Sequence, residues 1–191
     1  MLKAILVGIQ VINALEGVGG ELNAFTNKED TTFYAAISKE HFAQAVNVLT
    51  DIVFHSQYPQ HEIDKEVEVI CDEIESYNDS PAELIYDEFE NQLFKGHPLG
   101  HNILGKAEQL HTYTTADALR FVRRYYRPDN AIFFVYGAID FKQIIRWLKK
   151  QDFGKHEECE KTILDTTLST CQPTTLTIEK STHLVFVSNF C

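Results

Sequence analysis

Hydrophobic positions change their period several times along this chain of 191 residues, and each change marks an element. Gln10 to Glu16 reads as the end of a helix, stopped by Gly17-Val18-Gly19-Gly20, where glycine supplies the left-handed turn of a C-cap. Glu21 to Phe25 and Thr31 to Ser38 are rich in β-branched and aromatic residues around a polar Thr26-to-Asp30 turn, the pattern of an antiparallel hairpin. Phe42, Ala45, Val46, Leu49, Ile52 and Val53 then recur at three and four, which predicts an amphipathic helix. Beyond Pro59 a second helix is expected over His61–Tyr77, with the stripe Ile63, Val67, Ile70, Ile74 and Tyr77 turned inward. Asn78-Asp79-Ser80-Pro81 ends it and opens a third, with Ser80 at the N-cap, Pro81 in the first turn and Glu83 at N3.

The loop Gly96 to Gly105 is punctuated by glycine and proline, and Thr115-Ala116-Asp117 opens a helix running to Tyr125. Ala131 to Tyr136 is a continuous apolar run suited to a buried strand, and Phe141 to Lys150 is helical in pattern. Leu176–Ile178 and Leu184–Val187 look like strands. The class expected is α+β, an antiparallel sheet packed against several helices. Residues 1–150 form one domain in this reading, 151–175 a linker, and 176–191 the start of a further domain.

Composition narrows the field. With 44% hydrophobic and 24% charged residues, disorder, collagen and disulfide scaffolds are excluded. A net charge of −11 repels phosphate backbones, and the basic group Arg120, Arg123, Arg124 and Arg127 is short, so nucleic acid is not an expected partner. Cys71, Cys159, Cys171 and Cys191 form no C-x-x-C pair, which suits a reducing, cytoplasmic compartment, with the periplasm as the alternative. The apolar run Met1 to Leu15 is shorter than the roughly 20 residues a membrane helix needs, and Ala14-Leu15-Glu16 is a poor signal-cleavage site, so no membrane partner is expected.

Chemistry concentrates on the helix His61–Tyr77. At 100° per residue, Asp64, Glu68, Asp72 and Glu75 lie opposite the apolar stripe and form a solvated face. Glu66 and Glu73, seven residues apart, lie within about 20° of each other and about 10 Å apart along the axis. They sit on the flank of the stripe, where a side chain is expected to enter an interface. Spacing leaves two readings, a metal ligand with an orienting carboxylate or plain rim carboxylates, and by itself favours the second.

Other motifs say less. Val18-Gly19-Gly20 lacks the Gly-Lys-Ser/Thr of a phosphate loop, and no Gly-x-Ser-x-Gly elbow occurs. His97 and His101 are four apart, but Pro98 and Gly100 deny them a helix, so they read as structural. Neither H-E-x-x-H nor H-x-x-E-H occurs in the 191 residues.

Several blocks stand in order along the chain: Asn13 to Thr26, Thr32-Phe33-Tyr34-Ala35, Glu66 to Ile74, His97-Pro98-Leu99-Gly100-His101-Asn102-Ile103-Leu104-Gly105, and Tyr125-Tyr126-Arg127-Pro128-Asp129-Asn130. Taken together they resemble the pitrilysin/insulinase-type zinc metallopeptidases, the inverzincins that include mitochondrial processing peptidase, in their bacterial form. The resemblance implies that Glu73 stands at the distal zinc ligand and Glu66 at a supporting carboxylate that binds no metal. It further implies that Asn23, Ala24 and Phe25 lie on an edge strand that pairs with extended peptide substrate. It implies zinc as the family's cofactor, peptide or unfolded polypeptide as its substrate, and a second half or subunit, or a second copy of the chain, as partner.

The family's H-x-x-E-H helix, which supplies two histidines and the base, should stand just before Gln10–Glu16. Met1 to Gly8 departs from the family pattern there and reads as sequence from an alternative start or shifted frame. The strands before that helix have no counterpart either, and Thr174 to Cys191 resembles the opening of the family's next domain. The resemblance therefore implies a metallopeptidase-like domain incomplete at both ends. Catalytic zinc needs three protein donors, so the expectation is that this chain by itself holds no zinc tightly and cleaves nothing. A substitute set of His41, His55 and His61 is the alternative donor group. Uncovered apolar area further implies self-association or marginal stability. The first reading is a truncated homologue of a zinc endopeptidase. Its rivals are a non-catalytic scaffold or partner subunit, and a peptide-binding module using the Glu21–Phe25 edge.

Overall fold

Residues 13–154, 174–179 and 185–190 are described by the computed structural model. In chain order the elements are β1 (Glu21–Thr26), β2 (Thr31–Ala36), a 3-10 turn (Lys39–His41), α1 (Phe42–His55), α2 (Gln60–Asn78), α3 (Pro81–Leu93), α4 (Ala107–Leu110), α5 (Thr115–Tyr125), a 3-10 turn (Pro128–Asn130), α6 (Phe141–Leu148), β3 (Thr174–Glu179) and β4 (Val185–Phe190). The chain divides into two compact units. Of the described residues, the first holds 13–26, 31–60 and 114–154, and the second holds 27–30, 61–113, 174–179 and 185–190.

In the first unit, the glycine stop works as the sequence predicts. Asn13 to Glu16 are helical, and the amides of Gly17, Gly19 and Gly20 donate back to the carbonyls of Asn13, Glu16 and Leu15 at 3.0, 2.9 and 2.9 Å. Gly19 has φ +75°, a conformation that favours glycine. β1 and β2 pair antiparallel, with Asn23 opposite Tyr34, Ala24 opposite Phe33 and Phe25 opposite Thr32. α1 closes over this hairpin. Leu15, fully buried, meets Ala45 and Val48 from α1, and Leu22, Ala35, Ile37 and Ile52 pack around them. The segment after α6 returns to α1: Gln151 donates to the Asn47 side chain at 2.9 Å, His55 Nε2 lies 2.7 Å from the Asp152 carbonyl, and Phe54 meets Phe153 edge-on.

Two expectations from the sequence fail. Ala131 to Tyr136 is neither a strand nor buried, and Ile132, Phe134 and Tyr136 are 97%, 82% and 94% exposed. The sheets among the described residues are β1–β2 and β3–β4, and the run joins neither. The capping box also moves. Thr114 accepts from the Asp117 amide and Asp117 accepts from the Thr114 amide at 3.0 Å, fixing the start of α5. Ser80 does occupy the N-cap of α3 ahead of Pro81, but its side chain makes no capping bond.

The second unit is built on α2 and α3. Val67 is buried on α2, with Ile63, Ile70, Ile74 and Tyr77 half-buried along the expected stripe, and Leu84 is buried on α3. The hairpin turn closes through Asn27 N–H to Asp30 O at 2.8 Å. Its Lys28 ammonium lies 2.8 Å from Glu90 on α3. The following loop is held locally: Asn91 bonds Asn102, the Leu99 amide donates to His97 Nδ1 at 3.2 Å, and His101 Nδ1 bonds the Pro98 carbonyl. His97 and His101 thus serve the loop. Gly100 is required there because a Cβ would lie 2.3 Å from the Phe94 carbonyl oxygen. β3 and β4 pair antiparallel with Leu176 opposite Ser188. Residues 155–173, most of the expected linker, lie outside the described residues.

Candidate functional site

α2 carries Glu66 and Glu73 through 19 continuous helical residues. Seven residues apart, they share a flank and stand about 10 Å apart along the axis. Both are exposed, as are Asp64, Glu68, Asp72 and Glu75. The expectation that Glu66 and Glu73 enter an interface is therefore corrected: their flank of α2 faces solvent, and neither carboxylate pays a desolvation cost there.

Among the described residues, no group of three or more His, Cys, Asp and Glu side chains is placed to hold a metal ion. Glu66 and Glu73 are too far apart along the helix to share one ion. Zinc that activates water needs three protein donors. The described residues do not by themselves fit catalytic zinc. His55 is engaged by the Asp152 carbonyl, and His61 lies 3.2 Å from its neighbour Glu62.

Asn23, Ala24 and Phe25 lie on β1, all exposed, and one edge of β1 has no strand beside it among the described residues. Phe25 and Tyr34 stand on one face with ring centroids 6.3 Å apart. The edge is not bare, because the Ala24 amide donates to the Asn23 side-chain oxygen at 2.8 Å. An incoming strand has to displace that oxygen to use the donor.

Two arrangements in the second unit were not legible from spacing. Turn 27–30 faces Glu90, Phe94, Leu99 and Ile103 across a cleft of about 350 Å³. Burial raises the nearby Asp87 above the usual carboxylate range, a shift that Lys28 and His101 oppose and Glu90 reinforces. Separately, Cys71 on α2 meets His111, 40 residues on, with Sγ 3.7 Å from Nε2. Partial burial, then the carboxylates Glu68, Asp72, Glu75 and Glu108, push the Cys71 thiol above its ordinary value.

Comparison with known proteins assigns the class. Residues 8–107 match the insulinase family of peptidases, peptidase family M16, and residues 112–181 match the M16 inactive domain. The chain belongs to the insulinase family, as a partial α+β domain of it. An uncharacterized zinc protease of Bacillus subtilis, YmxG, is 33% identical over 151 residues, 78% of this chain and 36% of the relative. The mitochondrial-processing peptidase subunit beta of Caenorhabditis elegans is 31% identical over 160 residues, 83% of this chain and 35% of that protein. A protease from Helicobacter pylori shares the fold with a TM-score of 0.74 at 24% identity, over 83% of this chain and 38% of that one. The chain spans about a third of the length of the curated relatives it matches. The resemblance drawn from the Asn13–Thr26 and Glu66–Ile74 blocks thus holds at the level of family and fold.

Proposed function

We propose that this chain carries the distal part of a zinc endopeptidase site and hydrolyses peptide bonds only when an H-x-x-E-H element is supplied to it. The observation that carries this is the placement of Glu73 and Glu66 on one exposed flank of α2, in a chain of 191 residues whose sequence contains no H-x-x-E-H. Zinc is the cofactor of this reading. Glu73 supplies one donor, Glu66 orients that flank without touching the ion, and the remaining donors and the base come from the supplied element. Peptide substrate adds to the β1 edge at Asn23, Ala24 and Phe25, a mode of binding that reads backbone more than side chains.

The test uses the polypeptide of these 191 residues, purified without chelators, with zinc measured by mass spectrometry and hydrolysis followed on a fluorogenic unfolded peptide. The expected result is well under one zinc per chain and no cleavage. Adding a strand–helix polypeptide that carries H-x-x-E-H brings both, and Glu73→Gln then removes the zinc while Glu66→Gln leaves it. Tight zinc and cleavage without the added element would overturn the proposal.

A non-catalytic partner subunit is the second reading, favoured by the match of residues 112–181 to the M16 inactive domain. It requires binding to the complementary half that is indifferent to zinc and to Glu73→Gln.

A further inference from the structure

We infer that Cys71 and His111 form a surface site for a thiophilic divalent cation of the zinc class, separate from Glu73. The two donors come from different elements of one unit: Cys71 from the middle of α2, and His111 from the residue that ends α4. Their separation fits a shared ion. With metal–sulfur and metal–nitrogen bonds of about 2.3 and about 2.05 Å at a tetrahedral angle, the donor atoms should stand about 3.6 Å apart. Sγ and Nε2 stand 3.7 Å apart.

The surroundings suit a cation in three ways. Glu68 Oε1 lies 3.8 Å from His111 Nδ1, on the far side of the ring. At that distance the carboxylate makes no hydrogen bond to the ring and acts only as negative charge beside the pair. Glu68 and Glu75, three residues before and four after Cys71, stand beside it on α2, so a divalent ion enters a field already negative. Cys71 is half-buried and the His111 side chain 54% exposed, so water can complete the coordination. Binding forms a metal–sulfur and a metal–nitrogen bond, releases the thiol proton to solvent, and involves no change of oxidation state.

Glu73 lies two residues from Cys71, which puts it about 200° round the helix. The two features therefore face different ways and can be separated by mutation.

The experiment titrates the reduced, chelator-treated full chain with Cd²⁺, reading the ultraviolet thiolate-to-metal charge-transfer band, and then competes with Zn²⁺. A background in which Cys159, Cys171 and Cys191 are changed to Ser leaves Cys71 as the chain's sole thiol. We expect a band in that background saturating at one Cd²⁺ per chain and displaced by Zn²⁺. Cys71→Ser should abolish it, His111→Ala should weaken binding at least about tenfold, and Glu73→Gln should leave it unchanged. Circular dichroism of each variant checks that it folds. No band in the sole-thiol background, or a band indifferent to His111→Ala in a folded variant, would overturn the inference.

Discussion

Lys28 and Glu90 meet at 2.8 Å with unequal access to water: the lysine side chain is 9% exposed and the glutamate 44%. The contact is Coulombic, since the ammonium finds no aligned hydrogen-bond acceptor. That asymmetry predicts unequal mutants. Lys28→Met leaves Glu90 able to recover water and should cost about 1 kcal/mol. Glu90→Leu strands a buried ammonium and should cost about 2–4 kcal/mol, with the double variant recovering much of the loss. Urea midpoints of the four proteins check the order.

At the start of α5, the Thr114 hydroxyl and amide and then Arg120 hold the Asp117 carboxyl below its ordinary value. Its folded value is depressed, so the stabilisation it gives is complete above the unfolded carboxylate value. It is lost as pH falls through the lowered folded one. An NMR titration should show Asp117 protonating at lower pH than an unperturbed aspartate, and Thr114→Ala should move it back toward the ordinary range.

Leu15 has no exposed surface and sits where the N-terminal helical turn meets α1. Leu15→Ala should destabilise the first unit by about 2–4 kcal/mol through lost transfer energy and the cavity left behind. Amide exchange across α1 and the β1–β2 hairpin should rise, which distinguishes this loss from one confined to the second unit.

If the β1 edge receives peptide as proposed, the Asn23 side chain competes for the Ala24 donor. Asn23→Ala should therefore strengthen binding of an extended peptide about fivefold, the worth of roughly 1 kcal/mol for one hydrogen bond. Fluorescence anisotropy of a labelled peptide reads the change, and weaker binding in a folded Asn23→Ala variant would contradict this use of the edge.

Local rules made the hairpin and the α1 and α2 helices legible, because each rests on periodicity over many residues and on its own glycine or turn signals. The reading failed where a residue's state depends on a neighbour far along the chain. Ala131 to Tyr136 has the composition of a buried strand, but burial requires a partner, and composition cannot say whether one is there. Glu66 and Glu73 fall on the helix that the periodicity predicts, while their exposure depends on what covers that flank. The Thr114–Asp117 box was missed because Asp stands at N3 where Glu or Gln is the usual sign. Cys71 and His111, 40 residues apart, carry no spacing signal at all.

The outward set of Ile132, Phe134 and Tyr136 has a bearing on handling as well as on fold. Adhesion of such segments on separate molecules is opposed by the mutual repulsion of polypeptides bearing −11 each. Dissolved electrolyte shortens the reach of that repulsion to about 8 Å at physiological strength. Raising the salt should thus turn a clear solution cloudy at a protein concentration it tolerated before, and Phe134→Glu, which removes an exposed ring and adds to the repulsion, should raise that threshold.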